Sequence, residues 1–230
     1  MYWAVIVIFI LAILVWASAD VGSGVYLKTL CCRHTDKPVV ALTFDDGPDE
    51  KMTPRVLDVL GRYGIKATFF LTGRQVEKHP EIAKRIVEEG HMVGNHTYSH
   101  SPMFALWNRR RVMQDVYCAR QIIEDAVGLR PRLFRPPFGV TNPIIGRVIR
   151  DAGMQGIGWS IRSYDTVEQM DRDSICRRVG RKLCNGGVIL LHDRCKDADI
   201  VLESVVAAIK ASGRETVTID KLFEIEGYEK

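Results

Sequence analysis

The chain has 230 residues, 47% hydrophobic and 26% charged, a balance that excludes an intrinsically disordered protein and allows one domain with a sizeable core. The formal net charge is +4, with Lys and Arg scattered along the chain, which argues against a nucleic-acid-binding surface. There are no internal repeats or low-complexity segments, and the densest basic run, Arg109-Arg110-Arg111, reads as a solvated helix face.

Trp3 to Ala19 is an uncharged apolar run of 17 residues. As a helix it is about 25 Å long, near the lower limit for crossing a bilayer. Ala17-Ser18-Ala19 before Asp20 fits a small-residue cleavage site. No Lys or Arg precedes the run, however, and it is long for the apolar part of a signal peptide. Residues 1–19 therefore read as a membrane anchor in preference to a cleaved signal segment, residues 20–37 as a linker and residues 38–230 as the functional domain. Lys28, Arg33 and Lys37 follow the run, a pattern that by the positive-inside rule favours a cytoplasmic domain. The six cysteines at 31, 32, 118, 176, 184 and 195 contain no Cys-x-x-Cys pair, which argues against a zinc ribbon or thioredoxin motif and leaves disulfide pairing open.

Apolar strand-like runs then alternate with helical patterns. Val39 to Phe44 reads as a strand ending at Asp45-Asp46. Thr53-Pro54 reads as a helix cap followed by proline at the first helical position. Ala67 to Leu71 is a second strand, Pro80 to Gly90 a short helix, and Met92 to Val93 a brief strand. Met103 to Val127 has the apolar spacing of a long amphipathic helix. Leu133 to Arg135 is a strand, Asn142-Pro143 starts a helix, Met154 to Trp159 is a strand and Ser174 to Cys184 a helix. Val188 to Leu191 is a strand ending at His192-Asp193, followed by a helix over Ile200 to Ala211 and a last strand over Thr216 to Ile219. Alternation of this kind predicts a parallel α/β barrel or sheet. Polar clusters follow five of the strands: Asp45-Asp46, His96 to His100, Arg135, Asp165 and His192-Asp193. In a parallel barrel such loops converge on one face, where catalytic sites are built.

His96 and His100 are four apart, the spacing that puts two side chains on one side of a helical turn. Two imidazoles with one carboxylate make a three-ligand metal set with open positions. A second carboxylate held back from the metal is what a metal-assisted hydrolase needs as general base. Alone, either Asp reads as a helix cap and either His as a satisfied polar side chain; together, at strand ends, they point to an enzyme. His34 and His91 are assigned to surface or packing, and Trp159 and Phe138 to packing before sugar binding.

Thr-Phe-Asp-Asp-Gly-Pro at 43–48, Asn-His-Thr-Tyr-Ser-His at 95–100, Arg-Pro-Pro-Phe-Gly at 135–139 and Leu-Leu-His at 190–192 resemble the motifs of the polysaccharide deacetylases, the NodB-homology class or carbohydrate esterase family 4. The resemblance spans roughly Val39 to Ile219. It implies a distorted seven-stranded parallel (β/α) barrel and metal-dependent removal of acetyl groups from N-acetylated sugars in a cell-wall or surface polysaccharide. By motif, it implies that Asp46, His96 and His100 hold the metal and that Asp45 is the base, paired with Arg135. His192 would be the general acid, tuned by Asp165. The backbone at Phe138 would serve the oxyanion, with Pro137 beside it and Leu190 walling the acetyl pocket. The Asp-Trp dipeptide of many members becomes Asp165-Thr166 here, which makes one pocket wall smaller and more polar. The donor set suits Zn2+ first, with Co2+, Ni2+ and Fe2+ as alternatives. The expected partners are an N-acetylated glycan and, through the N-terminal segment, a membrane, with no nucleic acid. The polymeric substrates implied by the resemblance place the domain outside the cytoplasm, against the positive-inside pattern; a lipid-linked sugar inside the cell would suit that pattern better. The contrasting expectation is a membrane-anchored glycan-binding protein of the same fold with weak or lost catalysis.

Overall fold

A computed structural model describes residues 2–229. Among them, nine strands form one sheet: β1 (Thr29–Leu30), β2 (Val39–Asp45), β3 (Thr68–Leu71), β4 (Met92–Asn95), β5 (Leu133–Phe134), β6 (Gln155–Ile157), β7 (Ile161–Arg162), β8 (Val188–His192) and β9 (Glu215–Val217). The helices are α1 (Tyr2–Ala19), α2 (Met52–Tyr63), α3 (Gly73–Lys78), α4 (Pro80–Glu88), α5 (Arg109–Val127), α6 (Pro143–Asp151), α7 (Arg172–Lys182), α8 (Ala198–Ala211) and α9 (Ile219–Phe223).

The strand order is β1-β6-β5-β4-β3-β2-β8-β7, with β9 added beside β2, and every pairing is parallel. The seven strands read from the sequence are all present. The two extra ones, β1 and β7, are two residues each and form the open edges, so the sheet is a curled, incompletely closed barrel. Alternation along β2 shows the curl. Val40, Leu42 and Phe44 pack outward with the α2 residues Val56, Leu57 and Leu60 and the α8 residues Leu202 and Val206. Ala41 instead joins Phe70, Leu133, Ile157 and Val188. Those residues come from strands that are not β2's neighbours as well as from those that are, and they meet because the sheet bends back on itself.

α8 starts at Ala198, two residues before its expected start, and three other helix starts differ from the sequence reading for a capping reason. α2 begins at Met52, because the Asp49 carboxylate accepts from the Lys51 and Met52 amides at 3.0 and 2.8 Å; Thr53 lies inside the first turn. Phe104–Leu106 is a single 3-10 turn, and α5 starts only after Asn108, whose side chain accepts from the Arg111 amide at 3.0 Å. α7 starts after Asp171, which accepts from the Ser174 amide at 2.7 Å, and ends before Cys184. The Asn142 cap of α6 stands as read, accepting from the Ile145 amide at 2.8 Å. Residues 20–37, read as a linker, contribute β1 to the sheet and bury Val21 and Leu27. α1 is uncharged along its whole length and exposed except at the buried Ala17 and half-buried Ser18.

Candidate active site

β2, β4, β5 and β8 end at the same face of the barrel, and register sets their last residues side by side. Asp45 pairs with His192 across β2–β8, and Asn95 pairs with Phe134 across β4–β5. Asp45, Asp46, His96, His100, Leu190 and His192 line one cleft there, together with Phe138, Trp159, Arg162, Thr166 and Arg194.

Asp46, His96 and His100 each place a ligand atom within 4.8 Å of the others. The pair is not built on a helical turn. β4 stops at Asn95, and Thr97 and His100 take left-handed backbone conformations with φ 66 and 45°. The Asn95 side chain accepts from the Thr97 amide at 2.8 Å, and the Thr97 hydroxyl accepts from the His100 amide at 3.1 Å. These local bonds close a compact turn that sets the rings 4.8 Å apart. Of seven non-glycine residues with positive φ, Asp46, Thr97, His100, Phe138 and Tyr164 all lie in the loops around this cleft. Such conformations cost on the order of 1–3 kcal/mol each and persist where surrounding structure over-determines them, as at functional sites.

The donor chemistry fits a divalent cation. Asp46 Oδ1 is buried without a hydrogen-bond donor, yet sits 3.4 Å from His96 Nε2 and 3.2 Å from His100 Nε2. His96 Nδ1 donates to the Arg135 carbonyl at 2.8 Å, which leaves Nε2 with its lone pair towards Asp46. Burial, reinforced by the neighbouring His96, pushes the His100 imidazole down to about 4, so it is neutral and able to donate at pH 7. Burial alone would raise the Asp46 carboxyl, but the contacts with His96 and His100 outweigh it and hold the group well below the usual carboxylate range. One carboxylate and two imidazoles converging in this way are a divalent-metal site.

Asp45 lies next to this set but is held otherwise. Its Oδ1 accepts from Arg135 Nη1 at 2.7 Å, while Oδ2 stays 3.8 Å from His96 Nε2. Arg135 is fully buried inside the barrel, over the Phe70 ring at 4.0 Å, and also donates to Thr43 Oγ1 at 2.8 Å and the Gly158 carbonyl at 2.9 Å. A buried guanidinium with this many acceptors is a fixed counter-charge.

His192 stands beside Asp45 on β8. Its Nδ1 meets Asp165 Oδ1 at 2.9 Å, and Asp165 Oδ2 accepts from the His192 amide at 2.7 Å. Burial opposes the charged ring, but the Asp165 contact and the Asp45 and Asp46 carboxylates prevail, and the His192 pKa is raised. Phe138 is 54% exposed, its ring 4.7 Å from that of His100. Pro137 is buried behind it and Leu190 is buried at the cleft wall. All ten expected site residues thus lie at this face.

Three contributors at this face go beyond the sequence reading. Arg194 donates from Nε to Asp46 Oδ2 at 2.8 Å, two residues past His192 with no motif to mark it. Asp193, fully buried, accepts from the Thr53 hydroxyl at 2.6 Å, and burial pushes its carboxyl up to about 7. It packs so close that a Cβ on Gly47 would lie 2.3 Å from its Oδ2, which is why the residue after Asp46 is glycine. Trp159, read as packing, is half-buried and lines the cleft together with Thr166, so an indole is retained from a different loop.

The sequence profile for polysaccharide deacetylases matches residues 33–157. Peptidoglycan-N-acetylglucosamine deacetylase PgdA of Listeria monocytogenes is 36% identical over 186 residues, covering 80% of this chain and 38% of that protein. The chain thus spans well under half the length of that relative. The crystal structure of the Bc1960 peptidoglycan N-acetylglucosamine deacetylase, in complex with a hydroxamate, superposes with a TM-score of 0.81 at 32% identity, covering 86% of this chain and 94% of that one. BA3943 from Bacillus anthracis, a CE4 family pseudoenzyme, superposes with a TM-score of 0.78 at 28% identity over 84% of this chain and 68% of that one. Turnover must therefore be argued from the residues, but the lineage is plain: this chain belongs to the polysaccharide deacetylase family, carbohydrate esterase family 4.

Proposed function

We propose that this chain hydrolyses the N-acetyl group of an N-acetylated sugar in a cell-wall or surface glycan, releasing acetate and leaving a free amine. The observation that carries the reading is the split between two adjacent carboxylates. Asp46 turns a bare oxygen towards two imidazoles, while Asp45 is clamped by Arg135 and held back from them. A protein that only bound glycans would have no use for a buried base fixed beside a metal-ligand set.

Asp46, His96 and His100 would hold the cation, with Zn2+ the first candidate for this donor set. When bound, the metal supplies Lewis-acid polarisation of the amide. Asp45, held in place by Arg135, takes a proton from the attacking water. His192 donates a proton to the departing amine nitrogen, which is otherwise a very poor leaving group; Asp165 orients the ring through Nδ1 and favours its charged form. Leu190 and Trp159 shape the apolar wall for the acetyl methyl, and Thr166 leaves that wall more open. The Phe138 loop is the candidate source of a backbone donor for the developing oxyanion.

We further infer that α1 is a retained membrane anchor and that the domain faces the outside of the cell. The fully buried Ala17 and the hydrogen bonds of Ser18 to Thr141, at 2.6 and 3.0 Å, support retention, because cleavage after Ala19 would remove residues that are packed into the fold. A reporter fused after Lys230 tests the topology. For the chemistry, acetate release from chitooligosaccharide and peptidoglycan is measured with and without chelator. Chelator-sensitive release is expected; bound metal with no release from any glycan would favour a binding protein instead.

A further inference from the structure

The position of α1 bears on where the substrate lies. The helix does not reach the domain through a spacer. The Ser18 hydroxyl donates to the Thr141 carbonyl at 2.6 Å, the Thr141 amide returns a bond to the Ser18 carbonyl at 3.0 Å, and Ala17 is fully buried. Val21 continues into the barrel edge, within 3.3 Å of where a Cβ would stand on Gly139 and on Gly158. Thr141 is three residues from Phe138, a span of at most about 11 Å, and the Phe138 ring is 4.7 Å from that of His100. The end of α1 and the metal-ligand histidine are therefore on the order of 20 Å apart.

The surface around that junction is unlike the rest of the domain. Leu106 is 75% exposed, Val25 55%, Phe138 54% and Met103 52%. They share a neighbourhood: the Asn142 side chain donates to the Ala105 carbonyl at 2.6 Å, and Leu27, Phe104 and Ile145 form one buried cluster beneath. Arg110, in the first turn of α5, and Arg147, midway along α6, are exposed and have no acidic partner among the described residues. Cations at helix N-termini are disfavoured by the helix dipole, so the placement of Arg110 asks for an anionic neighbour from outside. Exposed Leu and Met side by side with unpaired arginines, continuous with an uncharged helix, are the features of a surface that lies at a lipid interface.

We propose that this rim rests on the surface of an anionic bilayer, and that the site takes its acetylated sugar from a glycan tethered to that membrane. The proposal builds on the deacetylase and anchor readings above and adds to them the carrier of the substrate. With the cleft facing the headgroup layer and no free linker to lift it, a sugar displayed on a lipid is within reach while a strand far from the membrane is not.

Full-length protein is reconstituted in vesicles of phosphatidylcholine with phosphatidylglycerol. An environment-sensitive fluorescent amino acid is placed at Leu106, with Lys66 at the opposite end of the barrel as control. Brominated lipids are expected to quench the probe at 106 and not at 66; equal quenching, or none at 106, overturns the proposal. Acetate release is then compared for chitotetraose conjugated to a lipid in the same vesicles and for free chitotetraose. Confinement to one surface layer should favour the lipid-borne form by at least about tenfold, and the double variant Leu106→Glu/Arg110→Glu should erase that preference while leaving release from free chitotetraose unchanged. No preference, or equal loss on both substrates, overturns it. Quenching at 106 without acetate from either substrate would sink the deacetylase reading and leave the membrane contact standing.

Discussion

Replacing Asp165 by Asn tests the acid half of the site without touching the substrate cleft. Asp165 accepts three hydrogen bonds: from the His192 amide at 2.7 Å, from His192 Nδ1 at 2.9 Å and from the Ser163 hydroxyl at 2.9 Å. Asparagine offers one oxygen. If that oxygen keeps the buried amide, its NH2 group faces the ring nitrogen and the bond that favours the imidazolium is gone. A charge-assisted hydrogen bond of this kind is worth about 1.5–3 kcal/mol, which converts to roughly 10–150-fold in rate if it acts only when the ring is charged. The loss should fall on kcat, since Asp165 is not among the cleft residues. The sign of the pH effect follows from the raised His192 pKa. An acid is active below its pKa, so removing the group that raises it moves the alkaline limb of kcat to lower pH. The assay is acetate release from chitotetraose across pH 5 to 10. A profile that superimposes on that of the parent after scaling, or a loss under about threefold, would refute the acid assignment of His192.

Asp46→Asn should leave the fold intact and lower metal affinity by more than about 100-fold, the upper range for losing even an indirect supporting partner; metal content after dialysis reads this directly. Arg135→Met should cost about 3–5 kcal/mol in urea unfolding, because the buried Asp45 carboxylate is left without its counter-charge, and less than about 1 kcal/mol would contradict that pairing. His91 is buried, with Nδ1 accepting from the Ala67 amide at 3.1 Å, and burial pushes it down to about 4 from 6.5. Its unfolded form binds the proton first, so stability falls as pH drops through that window, by about 2 kcal/mol between pH 7.5 and 5, and His91→Gln should remove that component. Gly47→Ala would set a Cβ 2.3 Å from Asp193 Oδ2 and should destabilise by about 1–3 kcal/mol, with a lowered thermal midpoint as the measurement.

The metal ligands and Asp45 were legible because chemistry restricts their residue types and because each follows a strand read from apolar runs. The seven principal strands were legible for the same reason: Val40, Leu42 and Phe44 face outward into one cluster, and the run around them is continuous. β1 and β7 were not, since two residues in Thr29–Leu30 or Ile161–Arg162 carry no period. The helical reading of His96 and His100 failed because spacing alone cannot show that Asn95 and Thr97 side chains satisfy the backbone of a left-handed turn. Arg194 carries no motif, and Asp193 reads only as part of a strand-end cluster, because their partners, Asp46 and Thr53, are about 140 residues away in sequence and no local pattern encodes such a contact.

The segment from Arg135 to Thr141 joins functions that the sequence reading treated separately. Arg135 holds Asp45, Phe138 borders the metal-ligand histidine His100, and Thr141 clasps the end of α1. Two prolines fix φ between the first of these and the second. The Gly139 and Val140 amides close back on the Pro136 and Pro137 carbonyls at 3.0 and 3.1 Å, so the loop has little freedom to move one end without the other. Displacing Thr141 would therefore be felt at the Asp45–Arg135 pair, whose geometry is set by several buried bonds on the same short stretch. The clasp on α1 and the clamp on Asp45 share a rigid loop, so the seating of α1 and the geometry of the Asp45–Arg135 pair are specified by the same seven residues.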